Sequence, residues 1–357
     1  MINIAAPIVG EEEKKKVLEA MDSGFLTHGP FTDEFEKKLA EYSGYKYAIA
    51  LNSGTAALHV ALMAAGLNEK SRVAIPDFSF IASANAVKYV GATPVYIDVD
   101  QKTFNMSPDS LREALRENKV DAIMPVSLYG QAYDVSEINE IAASAGVPVI
   151  SDNCQAVGAK WNGKGDFGDL ASCLSFYPTK NMTTGEGGAI LTNSDDLASK
   201  CKIIKNVGMR ARYEYLYIGF NYRMTNMAAA IGLEQLKKLP GFTKTRQENA
   251  RKLNEMLSNV TGVETPYADK RAEHVYHQYT IKSKNRDALK MHLEKNGVGS
   301  AIYYPAPLHT IDVLKAGKVN CPVTEQIGKE VLSLPVHPKL TEGDLQSIAS
   351  AIKSFKV

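Results

Sequence analysis

Residues 47–65, YAIALNSGTAALHVALMAA, decide how the rest of the chain is read. A short apolar run, Tyr47 to Ala50, passes through Asn52-Ser53 into a segment of helical periodicity from Gly54 to Ala65. The same alternation continues outward. Arg72 to Pro76, Pro94 to Ile97, Ala122 to Val126 and Pro148 to Ser151 read as strands. Ser79 to Tyr89, Pro108 to Glu117 and Val135 to Ala145 read as the helices between them. Neighbouring parallel strands need a crossover, normally a helix, so this rhythm predicts an α/β fold with a mostly parallel sheet covered on both faces.

After Ser151 the rhythm breaks. Ala171 to Phe176 and Ala189 to Thr192 look like strands separated by a Gly-rich segment, as suits a site-bearing region. Arg223 to Lys238 and Thr243 to Ser258 read as two helices, with Pro240-Gly241 between them marking a hinge. A chain of 357 residues exceeds the usual single-domain size. The expectation is a large domain over residues 1–240, including the N-terminal segment, and a smaller α+β domain over 241–357.

Lys plus Arg number 41 against 40 for Asp plus Glu, a balance that points to neither nucleic acid nor a membrane surface as a partner. Cys154, Cys173, Cys201 and Cys321 lie far apart with no Cys-x-x-Cys pair, arguing against a zinc site and a disulfide framework. No basic and apolar leader opens the sequence, and no run of roughly 18 apolar residues occurs. The expected location is the cytoplasm.

Three stretches carry chemistry. Asn52-Ser53-Gly54-Thr55 opens a helix after a strand, where free amides, the helix dipole and a hydroxyl can converge on a phosphate; an ordinary N-cap has the same composition. Asp152, with Gln155 after it, stands at the carboxyl end of a strand, where open α/β sheets place ligands. A carboxylate there can keep a pyridine nitrogen protonated; capping the next turn is the alternative. Ser175-Phe176-Tyr177-Pro178-Thr179-Lys180-Asn181 brings a strand to a Pro-stopped turn ending in a lysine, followed by Gly185 to Gly188. A lysine that forms a covalent imine must be a free amine, far below its usual pKa of about 10.4, so it needs a desolvating site. Most lysines are surface residues, and Lys180 gains weight from its neighbours.

Phe80 follows a strand end, where its ring can stack on a planar cofactor or simply pack in the core. Gly219 to Met224, with Asn221 and Arg223, reads as a loop able to reach a second subunit. His274 and His277 fall in a predicted strand, where their spacing puts them on opposite faces and excludes joint metal ligation. No metal site is expected. His309 is retained as a candidate substrate contact.

Together these motifs, with Tyr129-Gly130, Ala229 to Leu236, Tyr303-Tyr304-Pro305 and Pro307-Leu308-His309, resemble the DegT/DnrJ/EryC1/StrS aminotransferases over nearly the whole chain. The resemblance implies fold type I of the pyridoxal-phosphate (PLP) dependent transferases, the aspartate aminotransferase architecture. It also implies a homodimer with shared active sites. Lys180 would bind PLP covalently, Asp152 would pair with its pyridine nitrogen, Gln155 would meet the ring hydroxyl, and Phe80 would stack on the ring. Gly54, Thr55 and Ser175 would hold the phosphate, with Asn221 reaching it from the partner subunit; Tyr304 and His309 would meet substrate. Two segments depart from the family's commoner residues: Phe80 stands where Trp or Tyr is frequent, and Ser151-Asp152-Asn153-Cys154-Gln155 stands for the commoner Glu-Asp-Ala-Ala-Gln, with Asp152 and Gln155 retained. A related branch that removes a sugar hydroxyl carries His in place of the lysine, and Lys180 argues against that chemistry.

The implied activity is ping-pong transamination from L-glutamate to a nucleotide-activated keto-sugar, with the cofactor alternating between PLP and its amine form, pyridoxamine phosphate (PMP). A 4-keto-6-deoxyhexose linked to GDP, dTDP or UDP, as in perosamine synthesis, is the first acceptor to consider; a 3-keto-sugar or another cyclic ketone uses the same scaffold. A rival of another class is a noncatalytic regulator on this fold, which would leave the cofactor constellation decayed.

Overall fold

The computed structural model describes residues 1–356. Two helices, α1 (Glu11–Asp22) and α2 (Pro30–Ser43), precede β1 (Tyr47–Leu51) and α3 (Gly54–Ala64). The chain continues through β2 (Arg72–Pro76), α4 (Ile81–Tyr89), β3 (Thr93–Ile97), α5 (Pro108–Glu117), β4 (Ala122–Ile123), α6 (Val135–Ala145) and β5 (Ile150–Asp152). Next come β6 (Lys160–Trp161), β7 (Ala171–Ser175), β8 (Gly188–Thr192), α7 (Asp195–Ile204), a hairpin of β9 (Met209–Ala211) and β10 (Glu214–Tyr215), and α8 (Asn226–Leu257). The remainder is β11 (Ala272–Glu273), β12 (Tyr279–Lys282), α9 (Arg286–Lys295), α10 (Pro322–Glu330), β13 (Val331–Leu334) and α11 (Glu342–Ser354).

Strands β1-β8-β7-β5 form one ladder and β3-β2-β4 another. Single bridges Ile123–Val149 and Val126–Asp152 join them into the order β1-β8-β7-β5-β4-β2-β3. Within this sheet only β8 runs against its neighbours. The expected mixed, mostly parallel sheet is therefore present. Its strands are buried almost end to end, as parallel strands covered on both faces must be. Because the parallel strands share one direction, their carboxyl ends bring Asn52–Thr55, Asp77–Phe80, Asp152–Gln155 and Ser175 to one edge.

Two local expectations change. Ala122 to Val126 is a strand for two residues only, because Pro125 has no N–H to continue the ladder; its carbonyl instead accepts from Asp152 N at 2.9 Å. Pro240 does not end a helix: α8 runs unbroken through Pro240-Gly241 for 32 residues. The two halves of α8 are buried against different clusters. Leu233, Leu236 and Leu239 pack with Phe35 and Phe176, whereas Ala250, Leu253 and Leu257 pack with Tyr279, Ile281, Leu289, Leu332 and Ile348. Burial on both sides outweighs the one hydrogen bond that Pro240 cannot make. The change of packing partners near residue 240 supports our proposed division into 1–240 and 241–357, although Ile2 pairs with Val298 of the C-terminal unit.

A proline inside a helix costs up to ~3 kcal/mol. Pro240→Ala should accordingly raise unfolding stability by about 1–3 kcal/mol in urea titration; a lowered midpoint would show that a bend at Pro240 is required to seat both halves.

Candidate active site

A cavity of about 630 Å³ opens at the carboxyl edge of the sheet. Gly54, Thr55, Phe80, Asp152, Gln155, Ser175, Lys180 and Tyr304 all line it. Eight residues expected from separate motifs are thus brought together.

At one end, α3 begins against the end of β7. A Cβ on Gly54 would lie 2.7 Å from Ser175 Cβ and 2.9 Å from Cys154 Sγ, so only glycine permits this approach. Ser53 is the N-cap, its Oγ accepting from Ala56 N at 3.1 Å. The Gly54 and Thr55 amides take no protein acceptor among the described residues. Those amides, the positive end of the α3 dipole and the Thr55 and Ser175 hydroxyls form a cradle fitted to a phosphate.

Lys180 closes the turn after β7, its N–H donating to Tyr177 O at 2.9 Å. Asn181 Nδ2 anchors this turn to the C-terminal unit through Val275 O at 2.8 Å. Lys180 itself is half-buried because it faces the cavity, while its amine lies deep in the protein. Loss of hydration pushes the amine below its ordinary pKa, against the opposing pull of Cys154 and Asp152. Asp152 is held at both oxygens: Oδ1 accepts from Cys154 N at 3.1 Å and Oδ2 from Ser83 Oγ at 2.6 Å.

Gln155 spans the wall between them. Its Oε1 accepts from Tyr129 N at 3.0 Å and its Nε2 donates to Tyr304 Oη at 3.1 Å, which fixes the amide and leaves one N–H free. At the mouth, the half-exposed Phe80 ring lies 5.8 Å from the Tyr304 ring at 34°. An unpaired amine, an acid held as an acceptor, a phosphate cradle and an exposed aromatic face fit PLP, and the volume suits a ligand larger than the cofactor alone.

Two expected residues stay outside this cavity. His309 is tied back to Asp77, Nδ1 to Oδ2 at 2.6 Å and N–H to Oδ1 at 2.9 Å. Asn221 lies exposed on the loop before α8 and lines no part of its own chain's cavity. The histidine pair also departs from expectation, since β12 starts only at Tyr279 and both residues precede it. Val275 N and Gln278 N donate to Gly130 O and Tyr129 O, and Tyr276 takes a positive φ of 45°, so the segment turns where a strand was expected. His274 stacks on Tyr276 with its pKa pushed down to about 3 by burial. His277 faces the cavity with Lys180, and burial, Lys180 and Arg246 keep it neutral. His277, Gln278, Glu186 and the Asp152 partner Ser83 were not assigned to the site from sequence. For Ser83 the available signal was its spacing of four from Ser79 at a helix start.

Burial of Lys180 predicts a pH-dependent stability. The unfolded chain protonates this amine below about pH 10.4 and the folded chain binds the proton more weakly, so folding stability is lost as pH falls through that value. Cofactor-free Lys180→Met should melt above the unsubstituted protein at pH 7, with the gap closing toward about pH 10.4 in thermal scans.

Residues 7–353 match the model of the DegT/DnrJ/EryC1/StrS aminotransferase family. The chain is 40% identical to the GDP-perosamine synthase of Caulobacter vibrioides, covering 100% of this chain and 98% of that protein. It is 36% identical to the UDP-2-acetamido-2-deoxy-3-oxo-D-glucuronate aminotransferase of Pseudomonas aeruginosa, over 96% and 98%. Among solved structures, a DegT/DnrJ/EryC1/StrS aminotransferase from Brucella abortus superposes with a TM-score of 0.92 at 35% identity, covering 96% of this chain and 95% of that one. By this match across the chain and these relatives, the chain belongs to the DegT/DnrJ/EryC1/StrS family and is a PLP-dependent aminotransferase.

Proposed function

We propose that this enzyme moves an amino group from L-glutamate to a nucleotide-activated 4-keto-6-deoxyhexose, GDP-linked in the first instance. The observation that carries the reading is the cavity holding Lys180, Asp152 and the α3 cradle together with space beyond them. The sugar comes from the GDP-perosamine synthase relative at 40% identity. A 3-keto-sugar linked to UDP is the second reading, favoured by the Pseudomonas aeruginosa relative.

When bound, PLP supplies an electron sink for charge developing at the donor's α-carbon. The protein's own residues do the rest. The Gly54 and Thr55 amides with the Thr55 and Ser175 hydroxyls would bind the phosphate, Phe80 would offer its face to the ring, and Asp152 would accept from the pyridine nitrogen. Gln155, braced by Tyr129 and Tyr304, offers its free N–H to the ring hydroxyl. Lys180 Nζ would anchor the group and, when free, would be the base for the proton on the donor's α-carbon, a role favoured by the loss of hydration that pushes its pKa down. Tyr304 is positioned at the mouth for substrate, whereas His309 would need to leave Asp77 or reach substrate with its other nitrogen.

The same proposal includes a homodimer. Tyr213, Tyr215, Leu216, Tyr217 and Ile218 stand exposed on and beside the β9–β10 hairpin, next to exposed Asn221. An apolar patch of this kind suits a second copy of the chain, whose cradle Asn221 would complete. A cytoplasmic location rests on four unpaired cysteines, three of them buried. No helix among the described residues is long and apolar enough to cross a membrane.

Adding L-glutamate to the PLP-loaded protein should replace its visible absorption band with the near-ultraviolet band of PMP. A GDP-linked 4-keto-6-deoxyhexose should then restore the visible band. Restoration only by a UDP-linked 3-keto-sugar selects the second reading, and no response to glutamate would overturn the donor. Lys180→Ala should lower turnover by at least ~10²–10⁴-fold, the share typical of a general base; measurable sugar amination at the normal rate would remove Lys180 from the mechanism. Ile218→Asp should shift the light-scattering mass from dimer toward monomer and weaken PLP binding, because Asn221 would no longer reach the partner's cradle.

A further inference from the structure

Ser79 and Ser83 bracket Phe80 at the start of α4 and are almost completely buried, as is Asp152. Ser83 Oγ donates to Asp152 Oδ2 at 2.6 Å, and Ser79 Oγ lies 2.9 Å from Ser83 Oγ. A serine hydroxyl has one proton and two lone pairs. Since Ser83 gives its proton to Asp152, the hydrogen between the two serines must come from Ser79. The direction of the chain is therefore Ser79 to Ser83 to Asp152, with each bond polarising the next. Serines at a helix start commonly bond to nearby backbone; Ser79, just before the N-cap, and Ser83, in the first turn, bond to side chains instead. Cys154 N occupies the other carboxylate oxygen at 3.1 Å, so Asp152 accepts on both oxygens and donates on neither. Ser79 lines the cavity beside Phe80.

We infer that Ser83, with Ser79 behind it, is a positioning residue for Asp152: the pair fixes the rotation of the carboxylate toward the cofactor's ring nitrogen and ties it to the segment bearing Phe80. The acid and the aromatic plate are thereby held relative to each other by a single turn of chain. This inference rests on the proposed pairing of Asp152 with a pyridine nitrogen, and that pairing is tested separately below.

The experiment titrates cofactor-free protein with PLP and with its 1-deaza analogue, in which carbon replaces the ring nitrogen, following absorbance and recording the melting temperature of each cofactor-free variant. Ser83→Ala should weaken PLP about ten-fold, the loss expected for one hydrogen bond to a charged group. It should leave the affinity for the 1-deaza analogue unchanged. Ser83→Thr keeps the hydroxyl and should bind PLP within about two-fold of the unsubstituted protein, while Ser79→Ala should fall between them, as the outer member of a polarised chain. Equal weakening of both ligands, or a loss of PLP affinity that Ser83→Thr does not rescue, would reduce the serines to packing and overturn the inference. Unchanged PLP binding in Ser83→Ala would overturn it too. If the unsubstituted protein itself binds PLP and the analogue equally, the failure lies with the Asp152 pairing, a result distinct from any serine effect.

Discussion

The start of α3 meets the end of β7 so closely that residue 54 can carry no side chain. That contact sets the geometry of everything near it. It turns the first amides of a buried helix toward the Ser175 hydroxyl, and it places the turn bearing Lys180 directly beyond the same strand. The approach is possible because β7 is an interior strand of the mixed sheet and α3 packs along β7 and β8 with nearly every residue buried. A helix held so firmly by apolar burial can leave its first amides without protein acceptors, which an isolated helix terminus would satisfy with water.

Electrostatics in the cavity follow from this enclosure. Lys180 is desolvated and loses proton affinity; His277, beside it and beside Arg246, is pushed toward its neutral form by burial and by those two neighbours. Asp152 has no arginine or lysine pressed against it and is held by a hydroxyl and an amide. Lys180 and Asp152 thus line one cavity without closing on each other as an ion pair. A salt bridge between them would satisfy both charges and remove both functions.

Helix α8 links the cavity to the C-terminal unit. Because it does not stop at Pro240, it carries Arg246 to where its guanidinium donates to Tyr276 O at 3.1 Å and Gln247 to His274 O at 3.0 Å. These bonds fix the segment that delivers His277 and Gln278 to the cavity wall. The Pro-Gly pair reads as a stop by local rules, and local rules fail here because each half of the helix is buried by a different cluster. The N-terminal helices α1 and α2 were likewise not assigned from sequence; Lys238 reaching Glu13 and Asn226 capping α2 hold them against α8 over more than 190 residues of separation.

What the sequence determined by itself was whatever depends on near neighbours: the βαβ period, the glycine that opens α3, the acid at a strand end, the lysine on a Pro-stopped turn, and from these the family and its cofactor. Tertiary structure alone decided which distant partners those residues take. Ser83 reaches Asp152 across 69 positions, His309 turns to Asp77 across 232, and His277 arrives beside Lys180 only because a segment expected as strand bends over Gly130. Periodicity and turn chemistry are short-range and are written in adjacent residues. Hydrogen-bond partners across packed elements depend on how those elements stack, and that is set by the burial of the whole core.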